Sequence, residues 1–411
     1  MSAAGAVRGF FSHNRSVFRM GIGALTISSV TSLLAGLTLA FMTETLELLP
    51  GLMVLIPAAI GMRGAIFGAV GSRLGTSLHL GTFELSLRRG SVLRQNLQSS
   101  LLLTMFISFI MGFMAKTISE AMGVNSISIA EFIFISMIGG LLAGGVLIFI
   151  NLGVAYAGFR RNWDIDNISA PLITAAGDVV TLPMLFLVAL GVIGAGEMGM
   201  GATIEIVSIG LALITVMLAI HSIRITDREV RTTLRESIPI LVLCILLDIF
   251  AGVAVEGRLE RMVTFPALLV LVPPFLEAAN ALGGILTSRM GSQLHLGLME
   301  PSKIPGKKAL ENFGILFIFS LYAFALVGVV IHLASTAMGF RSPGLLDLTL
   351  LSLVGGMLTA SVLTLISYYV AVYTFRFSLN PDSLSIPLTS SSIDLVGAAI
   401  LMALIVAMGL G

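Results

Sequence analysis

Apolar positions run through this chain in long blocks. A helix that spans a bilayer needs about 20 mostly apolar residues, and eleven blocks reach that scale: 21–42, 50–72, 99–117, 130–158, 169–195, 203–222, 238–255, 265–288, 313–335, 345–373 and 384–410. No polar stretch between them is long enough to form a soluble domain. The pattern predicts an all-α polytopic membrane protein with eleven transmembrane helices. No cleavage pattern of a signal peptide precedes the first block, so that block is expected to stay in the protein as a span.

The blocks repeat. "SRLGTSLHLG" at 72–81 returns as "SRMGSQLHLG" at 288–297, an offset of 216. The same offset, without a gap, relates Pro50 to Pro266, Pro57 to Pro273, Gly139-Gly140 to Gly355-Gly356, Arg160 to Arg376, Pro171 to Pro387, and Asp178 to Asp394. Self-similarity at a fixed register marks a duplicated unit, here one of five spans. Five is odd, so two units joined directly would run in opposite directions. The sixth span, which has no counterpart, restores the orientation. Two parallel five-helix repeats joined by one linker helix follow, with a pseudo-twofold axis along the membrane normal. The expected division is a cytoplasmic N-terminus at 1–20, a first repeat at 21–200, a linker span and cytoplasmic loop at 201–237, and a second repeat at 238–411.

Charge sets the orientation. Positive residues gather on the cytoplasmic side of membrane proteins. Arg8, Arg15 and Arg19 precede the first span, and Arg73, Arg88, Arg89 and Arg94 follow the second. Arg160 and Arg161 follow the fourth, Arg224, Arg228, Arg231 and Arg235 the sixth, Lys303, Lys307 and Lys308 the eighth, and Arg376 the tenth. All fall on one side if the N-terminus is cytoplasmic, which puts the C-terminus outside. Lys116, Arg258, Arg261 and Arg341 are the exceptions. Composition agrees with a multi-pass protein of the cell membrane: 56% of residues are hydrophobic and 11% charged, with a mean hydropathy of +1.03, where soluble domains carry about 25% charge. The net charge of +1 argues against a nucleic-acid partner. The one cysteine, Cys244, cannot form an internal disulfide and reads as a small hydrophobe.

Against this apolar background the acids stand out. Asp178 sits in "ISAPLITAAGDVVTLPMLF" and Asp394 at the matching place in the last span. A twofold axis sets such residues opposite one another, and two facing carboxylates in low dielectric either share a proton or bind a cation. Each has a hydroxyl four residues earlier, Thr174 and Ser390, on the same helical face. Pro171 and Pro387, seven residues before the acids, are expected to free carbonyl oxygens. Oxygen ligands of this kind suit Mg²⁺, which is held by one or two carboxylates and keeps several waters.

Other residues carry weaker expectations. Asn280 is a candidate pathway residue, and its counterpart is Gly64. Glu277 and Asp248 align with Gly61 and Ser32, and that asymmetry argues against their belonging to the primary site. His79 and His295 recur in "LHLG" and read as polar residues on helix extensions, since zinc would want more nitrogen or sulfur nearby. Asp164, Asp166 and Asp382 form a candidate cytoplasmic mouth or helix caps. Glu44, Glu47, Glu256 and Glu260 are candidates to concentrate cations outside. "PSKIPGKK" lacks the glycine and the hydroxyl of a phosphate-binding loop, so direct ATP coupling is not expected.

The five-span unit, the proline followed by a Gly-rich second helix, and Pro-x6-Asp in the fifth helix resemble the membrane domain of MgtE-type magnesium channels. Two such units in one polypeptide are closer to the solute-carrier magnesium transporters of animals and their prokaryotic relatives. The resemblance covers 21–200 and 238–411. It implies that Asp178 and Asp394 are the family's acidic ligands and that Asn280 answers to the Asn of its second-helix Gly-Asn pattern, from which Gly64 departs. It also implies that one chain supplies both halves of a dimer-like pore. The family's cytosolic sensor, an N-domain with CBS domains, has no counterpart here, so gating by that route is not expected. The resulting expectation is Mg²⁺ transport across the bilayer through a path between the repeats, with no organic cofactor and no enzymatic step. Another divalent cation and a coupled exchanger stay open. The rival from another class is an intramembrane aspartyl protease, whose Tyr-Asp motif is missing because Ile393 precedes Asp394.

Overall fold

The computed structural model describes residues 15–84, 86–88, 90–161, 165–223, 227–377 and 386–410, and among them the regular structure is helical with no strand. The first repeat contains α1 (Arg15–Phe41), α2 (Thr43–Leu48), α3 (Leu52–His79), α4 (Val92–Ala121), α5 (Ile129–Arg161) and α6 (Ile165–Glu197). The linker is α7 (Gly201–Ile223). The second repeat contains α8 (Arg228–Glu256), α9 (Leu259–Thr264), α10 (Pro266–His295), α11 (Lys307–Ala337), α12 (Leu345–Arg376) and α13 (Ile386–Ala407). Eleven of these helices are long and apolar enough to cross a membrane. The other two, α2 and α9, are six-residue turns between the first and second spans of each repeat. Hydropathy could not reveal them, but their bounds keep the register of the duplication at both ends.

Helix ends follow local chemistry that is also duplicated. The "LHLG" motif is a helix stop. Gly81 and Gly297 adopt φ of 68° and 69°, the left-handed conformation in which glycine closes a helix, and the following N–H groups bond back to Ser77 O and Gln293 O. The histidines of the motif end α3 and α10. The arginine of "SR-x-G" is likewise structural. Arg73 Nε donates to Asn96 Oδ1 at 2.7 Å, and Arg289 Nε to Asn312 Oδ1 at 2.8 Å. These bonds tie the second span of each repeat to its third. Ser128 and Glu131 form a reciprocal capping box at the start of α5, satisfying amides that have no helical partner.

The repeats are interlocked rather than laid side by side as two separate bundles. Helix α1 packs chiefly on α10 and also on α11 of the other repeat, while α8 packs on α3 and α4. Each first helix keeps contact with the last helix of its own repeat, α6 and α13 respectively. The exchange is reciprocal, as a twofold relation requires. The linker α7 lies at the periphery against α5, with only 17% of its span buried.

Two glycines set the depth of the exchange. A Cβ on Gly36 would collide with the carbonyl oxygen of Val270, and one on Gly252 with that of Val54. The residues in each pair are equivalent under the repeat. In a bilayer the apolar lipid supplies little drive for helices to associate, so close van der Waals contact through small residues carries the association. The obstacle at each crossing is backbone, which cannot rotate aside. Gly36→Val and Gly252→Val are therefore expected to destabilise the protein by similar amounts, about 1–3 kcal/mol each by analogy with overpacked cores, read as a lower midpoint in a detergent thermal melt. An unchanged midpoint for both would mean the crossings are looser than described.

Candidate cation site

The exchange of first helices closes a cavity of about 120 Å³ at the seam between the repeats. Its wall comes from both halves: Ser32 on α1; Pro57, Gly61 and Gly64 on α3; Thr174 and Asp178 on α6; Pro273, Glu277 and Asn280 on α10; and Pro387, Ser390, Ser391 and Asp394 on α13. Most of these are repeat-related pairs. Asp178, Asp394, Thr174, Ser390, Asn280 and Gly64 come from four separate helices, and all line this one space.

Each acid has its own surroundings. Asp178 and Asp394 are each 6% exposed. Asn280 Nδ2 donates to Asp394 Oδ1 at 2.8 Å, leaving its own Oδ1 without a protein partner. Gly64, at the equivalent place, offers no donor to Asp178, and the Thr174 methyl lies against its backbone. Pro57 and Pro273 interrupt α3 and α10 beside the cavity, where a proline removes one helical N–H and releases a carbonyl four residues earlier. Pro387 lines the cavity at the start of the described part of α13, Pro171 falls within α6, and its side chain lies outside the described residues.

Glu277 and Asp248 are where the sequence reading needs correction. Their asymmetry set them apart from the primary site, yet both lie against it. Glu277 lines the cavity, accepts a hydrogen bond from Ser28 Oγ at 2.9 Å and is within hydrogen-bonding reach of Asp178. Asp248 is fully buried beside Asp394 and the Ser391 hydroxyl, and among the described residues neither carboxylate oxygen has a hydrogen bond of standard geometry. The free thiol of Cys244 is buried in the same place, close to Ser391 and Asp248.

The remaining candidates fall elsewhere. Asp164 and Asp382, and the side chains of Asp166 and His79, lie outside the described residues. His295 bonds the Gly291 carbonyl at its helix end and packs edge-on against Phe375. Glu256 caps α3, accepting from Gly51 N at 2.9 Å. Glu44, Glu47 and Glu260 are not buried in the cavity wall.

One charged residue escaped the sequence reading. Arg63, in the middle of α3, is fully buried. Its guanidinium turns away from the cavity toward α4 and α5, donating from Nη2 to Ser108 Oγ, while Nε and Nη1 have no partner among the described residues. It stood in view in "GMRGAIFG", the one basic residue deep within the block 50–72.

Chemically the cavity offers oxygen. Among the described residues no Lys, Arg, His or Cys lines it. Among the described residues no three His, Cys, Asp or Glu converge closely enough to hold a bare metal ion. A cation here would be held by one or two carboxylates, with hydroxyl and amide oxygens and water, a mode that suits Mg²⁺.

Eleven spans in two interlocked equivalent halves, with paired carboxylates at an oxygen-lined seam, define a duplicated multi-pass membrane protein with an acidic site between its repeats. A family model described as MgtE, divalent cation transporter, matches residues 56–188 and 272–404, so the second match is the first displaced by the repeat offset at both ends. The chain belongs to this MgtE family. It is 24% identical over 382 residues to the human protein "Solute carrier family 41 member 2", covering 85% of this chain and 62% of that protein. It is 23% identical over 376 residues to mouse "Solute carrier family 41 member 3", covering 85% of this chain and 74% of that protein. The chain thus spans less than two thirds of the length of the human relative. No solved structure matches it.

Asn280 gives a first test of the site. Asn280→Ala removes the one side-chain donor to Asp394 Oδ1, and hydrogen bonds between transmembrane helices contribute about 0.6–1.7 kcal/mol. The expected result is a cation-free melting midpoint lowered by that scale, with a larger loss of stabilisation by added Mg²⁺. Wild-type behaviour in both would remove Asn280 from the site.

Proposed function

We propose that the chain transports Mg²⁺ across the cell membrane through the seam between its two repeats, with Asp178 and Asp394 holding a partly hydrated ion. The observation that carries this reading is the pair of repeat-related, buried aspartates on one cavity whose wall contains no basic residue. Buried carboxylates cost several kcal/mol each to desolvate, and a divalent cation offsets two of them at once. The cavity has room for a cation with several of its waters. Membership of a divalent cation transporter family supports the same reading and disfavours the protease, and the oxygen-only wall favours a hard cation over zinc. One chain supplies both halves, so no second copy is needed to complete the path.

The test is flux into liposomes with a Mg²⁺-sensitive dye, together with melting in detergent. Asp178→Asn and Asp394→Asn keep the shape and remove one charge each. Both are expected to lose about tenfold or more in flux at subsaturating Mg²⁺, the equivalent of about 1.4 kcal/mol of binding. Each should fold, because burying an amide costs less than burying an unpaired carboxylate. Stabilisation by Mg²⁺, which for wild type is about 2.7 kcal/mol at a hundredfold excess over Kd, should fall in both. Wild-type flux and stabilisation in either variant would sink the two-carboxylate site.

The basic loops support an N-terminus on the cytoplasmic side and a C-terminus outside. In a Cys244→Ser background, single cysteines at Thr82 and Leu298, which follow α3 and α10, should label from the same face of sealed vesicles, and one at Met122 from the other. Labelling of the first two from opposite faces would overturn the parallel arrangement.

A further inference from the structure

Asp248 and Glu277 have no acidic counterpart in the repeat, since the equivalent positions are Ser32 and Gly61. In space they are each other's counterpart. The repeat relation carries the crossing of α1 with α10 onto the crossing of α8 with α3. At the first crossing the carboxyl is on α10: Glu277 meets Ser28, with Ser32 one turn further along α1. At the second the carboxyl is on the other helix: Asp248, on α8, points at Gly61 of α3, whose Cβ, if it had one, would stand 2.9 Å from Asp248 Oδ2. The space that a longer residue at 61 would need is filled by Asp248. Each crossing therefore holds one carboxyl, carried by opposite partners. Each carboxyl adjoins one of the paired aspartates, Glu277 beside Asp178 and Asp248 beside Asp394.

A lone intramembrane acid is commonly neutralised by a neighbour, and no basic side chain lines the cavity beside these two. Among the described residues neither oxygen of Asp248 has a hydrogen bond of standard geometry, the Ser391 hydroxyl being the neighbouring donor. The buried guanidinium of Arg63 is turned toward Ser108. Carboxyls at equivalent crossings, Glu277 lining an oxygen-lined cavity and Asp248 buried behind its wall beside Asp394, with no basic side chain among the described lining residues, point to a ligand that arrives from outside the protein.

We propose that Asp248 and Glu277 are a second, quasi-symmetric carboxylate pair of the cation site, one at each helix crossing, bracing the adjacent aspartate and adding to the charge that holds a divalent cation. This rests on the reading of Asp178 and Asp394 as the cation-holding residues. The divergence between the repeats is then a relocation of charge. Serine with glutamate at one crossing answers to aspartate with glycine at the other.

Relocation is testable by reversing it. The full chain in liposomes is assayed for Mg²⁺ flux, and in detergent for the shift in melting midpoint on adding Mg²⁺. Asp248→Ser alone is expected to weaken apparent Mg²⁺ affinity about 10- to 100-fold, the effect of losing a group that braces a metal ligand. Adding Gly61→Glu to it copies the first crossing onto the second and should restore most of that loss. The reverse pair, Glu277→Gly with Ser32→Asp, should likewise recover what Glu277→Gly loses. Wild-type affinity in Asp248→Ser, a double variant that folds but binds no better than its single parent, or failure of both doubles to fold would each overturn the proposal, since equivalent positions must accept one another's side chains. Asp178→Asn separates the two readings. If it abolishes flux while Asp248→Ser leaves flux and affinity intact, only the second pair falls. If wild type carries no Mg²⁺, or Asp178→Asn is without effect, the primary site falls and this inference with it.

Discussion

The structure depends on how closely two helices approach. Where α1 crosses α10 and α8 crosses α3, glycine faces a bare carbonyl, Gly36 on Val270 and Gly252 on Val54. That contact makes one body of two repeats. It also places the first helix of each repeat between its own last helix, which bears Asp178 or Asp394, and the second helix of the other repeat. The cavity exists because helices from both repeats meet there at backbone distance. Larger residues at the crossings would part the halves and open the acids to lipid, where an unpaired charge is most costly.

Given that geometry, the electrostatics follow. Four acidic side chains lie in or against a buried seam, and the buried cation on α3, Arg63, is engaged on the far side of that helix. Attraction in low dielectric is strong but falls with distance, and the Arg63 guanidinium, turned toward Ser108, does not fill the coordination of the acids. What the seam lacks is a compact positive charge that accepts oxygen from several directions. Under the proposed function a hydrated divalent ion would supply that, with water completing a shell that, among the described residues, no three protein acids close on their own.

Much of this was legible in the sequence because duplication converts weak patterns into strong ones. One intramembrane aspartate carries little signal, whereas Asp178 and Asp394 share a fixed offset, and the fold brings both of them, with Thr174 and Ser390, to one cavity. The eleven spans and the orphan sixth were likewise readable from hydropathy and register. What escaped was whatever depends on which helix meets which. The exchange of α1 and α8 leaves no trace in hydropathy, and the six-residue helices α2 and α9 are too short for it. The "SR-x-G" arginine could not be matched to Asn96 or Asn312 without knowing that the second and third spans run side by side. Glu277 and Asp248 were set apart because alignment compares a residue with its equivalent, while a packing contact compares it with its neighbour.

That distinction explains the asymmetry of the two halves more widely. Arg63 aligns with Ala279, and Ser108 with Phe324. Read singly, each looks like a change of chemistry. In space the Arg63 guanidinium and the Ser108 hydroxyl fill the hollow over Gly140, and the ring of Phe324 fills the matching hollow over Gly356. Volume is kept while its source moves from two helices to one. Buried space tolerates neither a void nor an overlap, so once one half drifts, the neighbour across the contact must follow. The same constraint acts on charge at the two crossings, where a carboxyl sits on α10 in one and on α8 in the other. Duplication copied the contacts, and divergence has kept them by exchanging which partner supplies the atoms.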